Sequence, residues 1–384
     1  MKKKFIPFIL IAAFAVSALV HFSFKSKSLY WMMDQISEDL GCYSKEDLNP
    51  DRIETSYQSL LAKAKLVHFQ IKGNQIYWKA NFHGEGEDRV RKVCIMLSKA
   101  SRFKKLPDTD FLLTVHDGII SKSSKKTYPQ YLPIFCFAKR KGVHAVLFPD
   151  PLTESFARRR KKSIALEKMK PKHYWKNKKE VAFWRGGTTG GPFLIDNWYQ
   201  MPRTQLALLT QYYPNEVDAG FSVHNKMPDN VKEEMLKCLP LVKWSNHKKH
   251  LQYKYLVVAD GNTCTYPRFY LGLYSGSVVF KDQTDDYQWF YRALKPGKHF
   301  IAVSKDFSNL PEKVIWAKNN DKKVKQIARN SQKFIRRNLT SKHIYQYIVQ
   351  LLNEYSKLQD SEVKVLDDMY LYQGSRKNKW KKNG

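Results

Sequence analysis

The chain has 384 residues, 43% of them hydrophobic, with 22 Phe, 22 Tyr and 9 Trp; that supply of core-forming side chains excludes a disordered chain and suits two domains of ordinary size or one large one. Lys and Arg number 67 against 35 Asp and Glu, a net +32, which calls for anionic partners: nucleic acid, lipid headgroups, acidic glycans or phosphate-bearing substrates. The five cysteines, Cys42, Cys94, Cys136, Cys238 and Cys264, are widely spaced and form no CxxC pair, so a zinc ribbon, a redox dithiol and a dense disulfide scaffold are excluded; buried thiols are expected, with one or two bridges the alternative in an oxidising compartment.

Lys2, Lys3 and Lys4 precede an almost uninterrupted apolar run from Phe5 to Phe24. As a helix it would reach roughly 30 Å, about the thickness of a bilayer's hydrocarbon core. Residues 1–28 therefore read as a signal anchor that crosses a membrane once. A cleaved signal peptide is the alternative, but it calls for a shorter apolar stretch followed by a small-x-small site, and here Ala13, Ala15, Ser17 and Ala18 lie inside the run.

Farther along, Glu54 to Leu66 has apolar residues near helical spacing, and Gln70 to Trp78 alternates around a turn at Gly73-Asn74. Phe111 to Val115 reads as a buried strand entering a turn at His116-Asp117-Gly118, and Ile134–Ala138 and His144–Phe148 as two more short strands. A basic, helix-prone stretch carrying Arg158, Arg159, Arg160, Lys161 and Lys162 follows. Then Val181–Trp184 reads as a strand running straight into Arg185-Gly186-Gly187-Thr188-Thr189-Gly190-Gly191. Strand and helix patterns alternate from there: strands at Leu256–Ala259, Ser277–Phe280 and His299–Val303, helices at Arg268–Tyr274 and Pro311–Asn319. That alternation implies an α/β fold with a mainly parallel sheet. The clearest helix is C-terminal, where Ile344, Tyr347, Ile348, Leu351, Leu352, Tyr355 and Leu358 share one face. The tail beyond Gln373 is too polar to pack and is expected to fray or rest on an anionic surface.

Three loops hold candidate chemistry. In Arg185–Gly191, a glycine-rich turn after a strand lets backbone amides approach a phosphate, and the arginine adds a charge-assisted clamp; it matches neither a Walker A motif nor the dinucleotide fingerprint, and an ordinary strand-to-helix turn is the other reading. Asp260-Gly261-Asn262-Thr263-Cys264-Thr265-Tyr266-Pro267-Arg268 is a second polar loop between a strand and a helix. Both loops would lie at strand carboxyl ends, where open α/β sheets bind ligands. Arg185 and Arg268 could then converge on one diphosphate, or each could pair with a surface carboxylate. Asp117, just past a buried strand, is placed to project into a cleft, although local sequence alone favours a turn-forming Asx residue. His247 and His250 lack a carboxylate partner for zinc. Asp282, Asp285 and Asp286 do not fit a calcium loop and are expected to cap a helix carrying Trp289 and Phe290.

The run from Tyr253 to Asp321 resembles the CAP10-type glycosyltransferases. The resemblance rests on Tyr253-Lys254-Tyr255-Leu256, the Arg268 helix, the Gly276–Phe280 strand, Leu294-Lys295-Pro296, His299-Phe300-Ile301 and Asp306–Leu310. Upstream, Ala182-Phe183-Trp184-Arg185-Gly186 is similar to that family's phosphate-binding turn, and Leu113–Asp117 falls where the family places its catalytic aspartate. The resemblance implies a GT-B-like fold of two Rossmann-like domains facing a cleft. An acceptor-side domain would span 29–175, joined by the returning helix 335–372, and a nucleotide-sugar-binding domain would span 176–334, leaving 373–384 as a basic tail. It further implies an inverting, metal-independent transfer from a nucleotide sugar, UDP-linked, to a hydroxyl of a glycan, lipopolysaccharide or protein, with no cofactor. Asp117 would be the general base; Arg185, Gly186, Gly187, Thr188 and Arg268 would hold the diphosphate, and Asp260, Gly261 and Thr265 the nucleotide side. The catalytic part would face the cytosol in a bacterium and the secretory lumen in a eukaryote, following the donor. The contrasting reading is a membrane-tethered basic protein that binds anionic polymer or lipid without chemistry. No nucleic-acid module is recognisable.

Overall fold

The structure is a computed structural model; it describes residues 30–60, 64–80, 82, 85–119, 128–129, 131–225, 227–374 and 380–382. The apolar run Phe5–Phe24 lies outside the described residues. The expected single-pass anchor is corrected accordingly: no helix among the described residues is long and apolar enough to cross a membrane.

Among the described residues the chain builds two large sheets and one two-stranded pair. The first takes β1 (Leu66–Lys72), β2 (Gln75–Ala80), β3 (Thr109–Thr114), β4 (Ile134–Cys136) and β6 (Val146–Leu147), and β5 (Lys139–Arg140) is set aside from it. The second takes β7 (Lys179–Gly187), β8 (Val217–Val223), β9 (Tyr253–Val258), β10 (Val278–Asp282) and β12 (Ile301–Val303); β11 (Asp286–Tyr287) pairs with β5, and β13 (Tyr370–Tyr372) and β14 (Trp380–Lys382) return to the first sheet. Strand order is β14-β13-β2-β1-β3-β4-β6 in the mixed sheet and β12-β10-β9-β7-β8 in the second, whose pairings are all parallel.

Local chemistry explains these elements. Gly73 and Asn74 take φ of 58° and 67°, the left-handed pair that lets a two-residue turn match the twist of β1 and β2. Every residue of β3 and of β9 is buried, as expected for strands covered on both faces. The helix Ser341–Ser356 crosses back to the first sheet. Its Ile344, Tyr347, Ile348, Leu351, Leu352 and Tyr355 are each 0% exposed within the core that holds β1, β3 and β4, each contributing about 1.5–3 kcal/mol over leaving it in water. Tyr355 packs edge-on against Phe135 at 5.0 Å between ring centroids. A second core lies between the parallel sheet and its helices, around Trp184, Phe221, Tyr255 and Phe280.

Several expectations shift. The tail, expected to fray or rest on an anionic surface, carries β14, which pairs antiparallel with β13. Asp282 and Asp286 sit in strands rather than capping a helix, and Asp286 accepts from Arg140 at 2.8 Å. All five cysteines are free, with Cys94, Cys136 and Cys264 buried.

Candidate active site

The carboxyl ends of β3, β7 and β9 meet at a cleft of about 520 Å³ between the two sheets. On the first sheet, β3 delivers Asp117 after its last paired residue. Arg89, on the helix Glu85–Phe103, fixes the turn: its Nη1 donates to the Val115 carbonyl at 2.7 Å and its Nη2 to Asp117 Oδ1 at 2.8 Å. Across the cleft, Asn262 Nδ2 donates to Asp117 Oδ2 at 3.3 Å, and the Tyr266 hydroxyl donates to the Asp117 carbonyl at 2.6 Å. Gly118 follows because a Cβ there would lie 2.6 Å from the Ala138 carbonyl oxygen. The Asp117 side chain keeps 38% of its surface exposed, so both oxygens are oriented while the carboxylate stays within reach of a substrate.

The β7 loop differs from its sequence reading. Arg185, Gly186 and Gly187 are still strand, paired with Gly220, Phe221 and Val223 of β8 through a bulge at Gly186/Gly187. Arg185 does not line the cleft. Its Nη2 donates to Asp218 Oδ1 at 2.5 Å, its Nη1 to the Asp218 and Trp184 carbonyls at 2.8 Å, and its guanidinium covers Phe183 at 4.5 Å. Thr188 is also engaged: its Oγ1 accepts from the Asn225 amide at 2.8 Å and its carbonyl from Asn225 Nδ2 at 3.0 Å. Glycine is required at 186, where a Cβ would fall 2.4 Å from the Trp184 ring.

On the second-sheet side the cationic group lining the cleft is Arg203, in the first turn of the helix Pro202–Tyr212. Its Nε donates to the Asp260 carbonyl at 3.0 Å, Nη2 to the Ala259 carbonyl at 2.9 Å and Nη1 to the Gly187 carbonyl at 2.8 Å. It thus ties the ends of β7 and β9 together. Burial, with Arg268 nearby, pushes its pKa down to about 10, which leaves it cationic at neutral pH. Arg268 donates from Nη1 to the Arg185 carbonyl at 2.5 Å, and burial lowers its pKa too. Among the described residues neither arginine forms a salt bridge with a carboxylate.

In the β9 loop, Asp260 turns into the protein: its Oδ2 accepts from Lys281 Nζ at 2.8 Å and Thr284 Oγ1 at 2.7 Å, while its amide donates to Asp282 Oδ2 at 2.9 Å. Lys281 also pairs with Asp282. Gly261 packs closely on Thr189 and Arg203. Thr265 Oγ1 donates to the Ala259 carbonyl at 3.0 Å.

Of the residues singled out from sequence, Asp117, Gly261 and Thr265 line the cleft, whereas Arg185, Gly186, Gly187, Thr188, Asp260 and Arg268 do not. The sequence reading missed Arg89, Arg203, Asn262 as the bridge to Asp117, and Tyr266. Asn262 and Tyr266 lie in a loop already marked as polar; Arg89 and Arg203 carry no local signal. His247 and His250 form one short helix, with His250 buried and its pKa held at about 3 by burial and neighbouring cations. Among the described residues no group of three or more His, Cys, Asp or Glu is arranged to hold a metal ion.

The molecule is thus an α/β protein whose two sheets close on one polar cleft, with a carboxylate on one side and an arginine on the other. The chain belongs to glycosyl transferase family 90, whose profile matches residues 27–377. It is 29% identical over 280 residues to protein O-glucosyltransferase 3 of Homo sapiens, covering 72% of this chain and 52% of that one. It is 30% identical over 295 residues to protein O-glucosyltransferase 2 of Danio rerio, covering 75% and 55%. It spans about half the length of these relatives. Among solved structures, Anabaena HepE in complex with UDP is 11% identical, covering 68% of this chain and 77% of that one at a TM-score of 0.40, a superposition too loose to transfer its fold or its ligand.

Proposed function

We propose that the chain is an inverting glycosyltransferase of GT-B arrangement that moves a sugar from a UDP donor to a hydroxyl of a glycan, lipopolysaccharide or protein, without a divalent metal. The observation that carries this reading is Asp117. It follows a fully buried strand of one sheet, is oriented by Arg89, and reaches across the cleft to Asn262 on the loop that also packs against Arg203. Family membership and the names of the relatives support the reaction class.

In this reading Asp117 accepts the proton of the acceptor hydroxyl as that oxygen attacks the anomeric carbon. The bond from the anomeric carbon to the diphosphate breaks on the opposite face, its electron pair going to the leaving oxygen, and the centre inverts. Charge on the departing nucleoside diphosphate has to be met by groups already in place. Arg203 lines the cleft and Arg268 stands near it, and among the described residues neither has a paired carboxylate. Arg185, committed to Asp218, holds β7 to β8 and supports the loop from below. Asp260 and Lys281 stiffen the nucleotide-side loop in the same manner, through buried charge pairing, and Thr265 anchors it.

The test is product mass analysis after incubating the full chain with UDP-sugars and candidate acceptors, including glycans, lipopolysaccharide and folded protein domains. Addition of one hexose or pentose mass, undiminished by EDTA, is expected. A chain that transfers nothing, or transfers only with manganese, contradicts the proposal.

A further inference from the structure

One buried carboxylate lining the cleft has no task in the reaction above. After β6 the chain runs Phe148-Pro149-Asp150-Pro151, and Asp150 caps the helix Pro151–Ser155, its Oδ1 accepting from the Thr153 amide at 2.7 Å. That uses one oxygen. Oδ2 is buried and has no hydrogen-bond partner, and the residue as a whole is 2% exposed. Burial pushes the carboxyl pKa up to about 6, so at neutral pH the group is largely ionised.

A cap does not require this arrangement, because Asn or Ser satisfies a helix amide equally well. Buried polar atoms in native proteins are nearly always paired, and an orphaned charged one is costly. Asp150 lines the same cleft as Asp117. So does Thr263, from the β9 loop, and its Oγ1 is likewise buried without a partner, the residue being 4% exposed. An oxygen that only accepts and a hydroxyl that gives or accepts are the complement of a sugar hydroxyl, which does both. A cation would need more oxygens than one carboxylate and one hydroxyl supply. The cationic side chains of the first-sheet wall, Arg89 and Lys92, are already paired with Asp117 and Asp88.

Resting on the glycosyl-transfer reading, we infer that Asp150 and Thr263 form a sugar-hydroxyl subsite of the cleft, in which Asp150 Oδ2 accepts a hydrogen bond from a hydroxyl of the bound sugar. The subsite selects among sugars by the position of that hydroxyl. The hydroxyl belongs either to the transferred sugar or to the acceptor, and the experiment separates the two.

The variants are Asp150→Asn, which keeps the cap, and Thr263→Val, which keeps the shape; each is checked for folding by its melting curve. Binding to the full chain is measured by calorimetry for UDP and for whichever of UDP-glucose, UDP-galactose and UDP-xylose the wild type binds tightest, and KM and kcat are measured with the acceptor found by product analysis. If the hydroxyl is the donor's, Asp150→Asn weakens UDP-sugar binding about tenfold or more while UDP binding stays the same. If it is the acceptor's, UDP and UDP-sugar bind as in wild type and KM for the acceptor rises about tenfold or more at little changed kcat. A role confined to packing moves neither quantity. Folded Asp150→Asn and Thr263→Val chains with wild-type values in all of these measurements overturn the subsite alone. A wild-type chain that binds no UDP-sugar overturns the glycosyl-transfer reading first, and the subsite with it.

Discussion

Replacing Arg203 by Met removes a side chain that ties the ends of β7 and β9 together at the mouth of the cleft while keeping most of its apolar stem. Arg203 is 8% exposed, and its three donors reach three carbonyls at 2.8–3.0 Å. Each hydrogen bond to a charged group is worth about 1.5–3 kcal/mol net in isolation. These three share one side chain and a cleft into which water can enter, so about 1 kcal/mol per freed carbonyl is the safer figure, or about 3 kcal/mol in all. At about 2 °C per kcal/mol for a large domain, the melting temperature falls by roughly 6 °C. The charge at the cleft is lost as well, so nucleoside diphosphate binding weakens by about tenfold or more. Melting curves of wild type and Arg203→Met, with and without saturating UDP, read both effects. A variant that melts within about 1 °C of wild type and gains the same shift from UDP refutes the assignment of Arg203 as strand clamp and diphosphate contact.

Gly261→Ala attacks the same joint sterically: its Cβ would lie 2.2 Å from Thr189 Oγ1 and 2.7 Å from Arg203 Nη2, so one of them must move. Weaker UDP binding with a modest loss of stability is expected in a titration of the variant; unchanged binding would mean that the loop yields freely. Far from the cleft, His68 lies between two carboxylates, at 2.5 Å from Asp110 Oδ1 and 2.9 Å from Glu54 Oε2. Burial pushes its pKa down, but Asp110 and Glu54 outweigh that and leave it raised. A raised folded value means the stabilisation is fully present below the unfolded pKa of about 6.5 and is lost as pH rises through the folded one. Melting temperature measured across that window should fall more steeply with pH for wild type than for His68→Gln, and parallel curves would contradict this.

Much of the fold was legible because it rests on local periodicity. Six of the seven residues of the apolar face starting at Ile344 became buried side chains of one helix, with Leu358 just past its end and partly buried, and the alternation around Gly73-Asn74 became the β1–β2 hairpin. Asp117 follows an apolar run and His116, where local pattern alone favours a turn-forming residue; its part in the site came from the family resemblance. What local pattern could not supply was the partner. Arg185-Gly186-Gly187 looks like a turn, but β8 is long enough to keep pairing with it, and Asp218, 33 residues away, takes the guanidinium. Asp260 likewise looks free until Lys281, 21 residues on, is placed beside it. Arg203 has the converse problem: nothing near Met201-Pro202-Arg203 signals a ligand, since its partners are main-chain carbonyls that any sequence provides.

The central claim is that Asp117 removes the proton from the attacking hydroxyl. The direct measurement is the transfer rate of wild type and Asp117→Asn with the same UDP-sugar and acceptor, alongside the affinity of each for UDP. The amide keeps the size of the side chain and can still meet Asn262, but it cannot take a proton. The account predicts UDP affinity within about twofold of wild type and transfer slowed by about a hundredfold or more. An Asp117→Asn chain that binds UDP normally and transfers sugar at near the wild-type rate would contradict it.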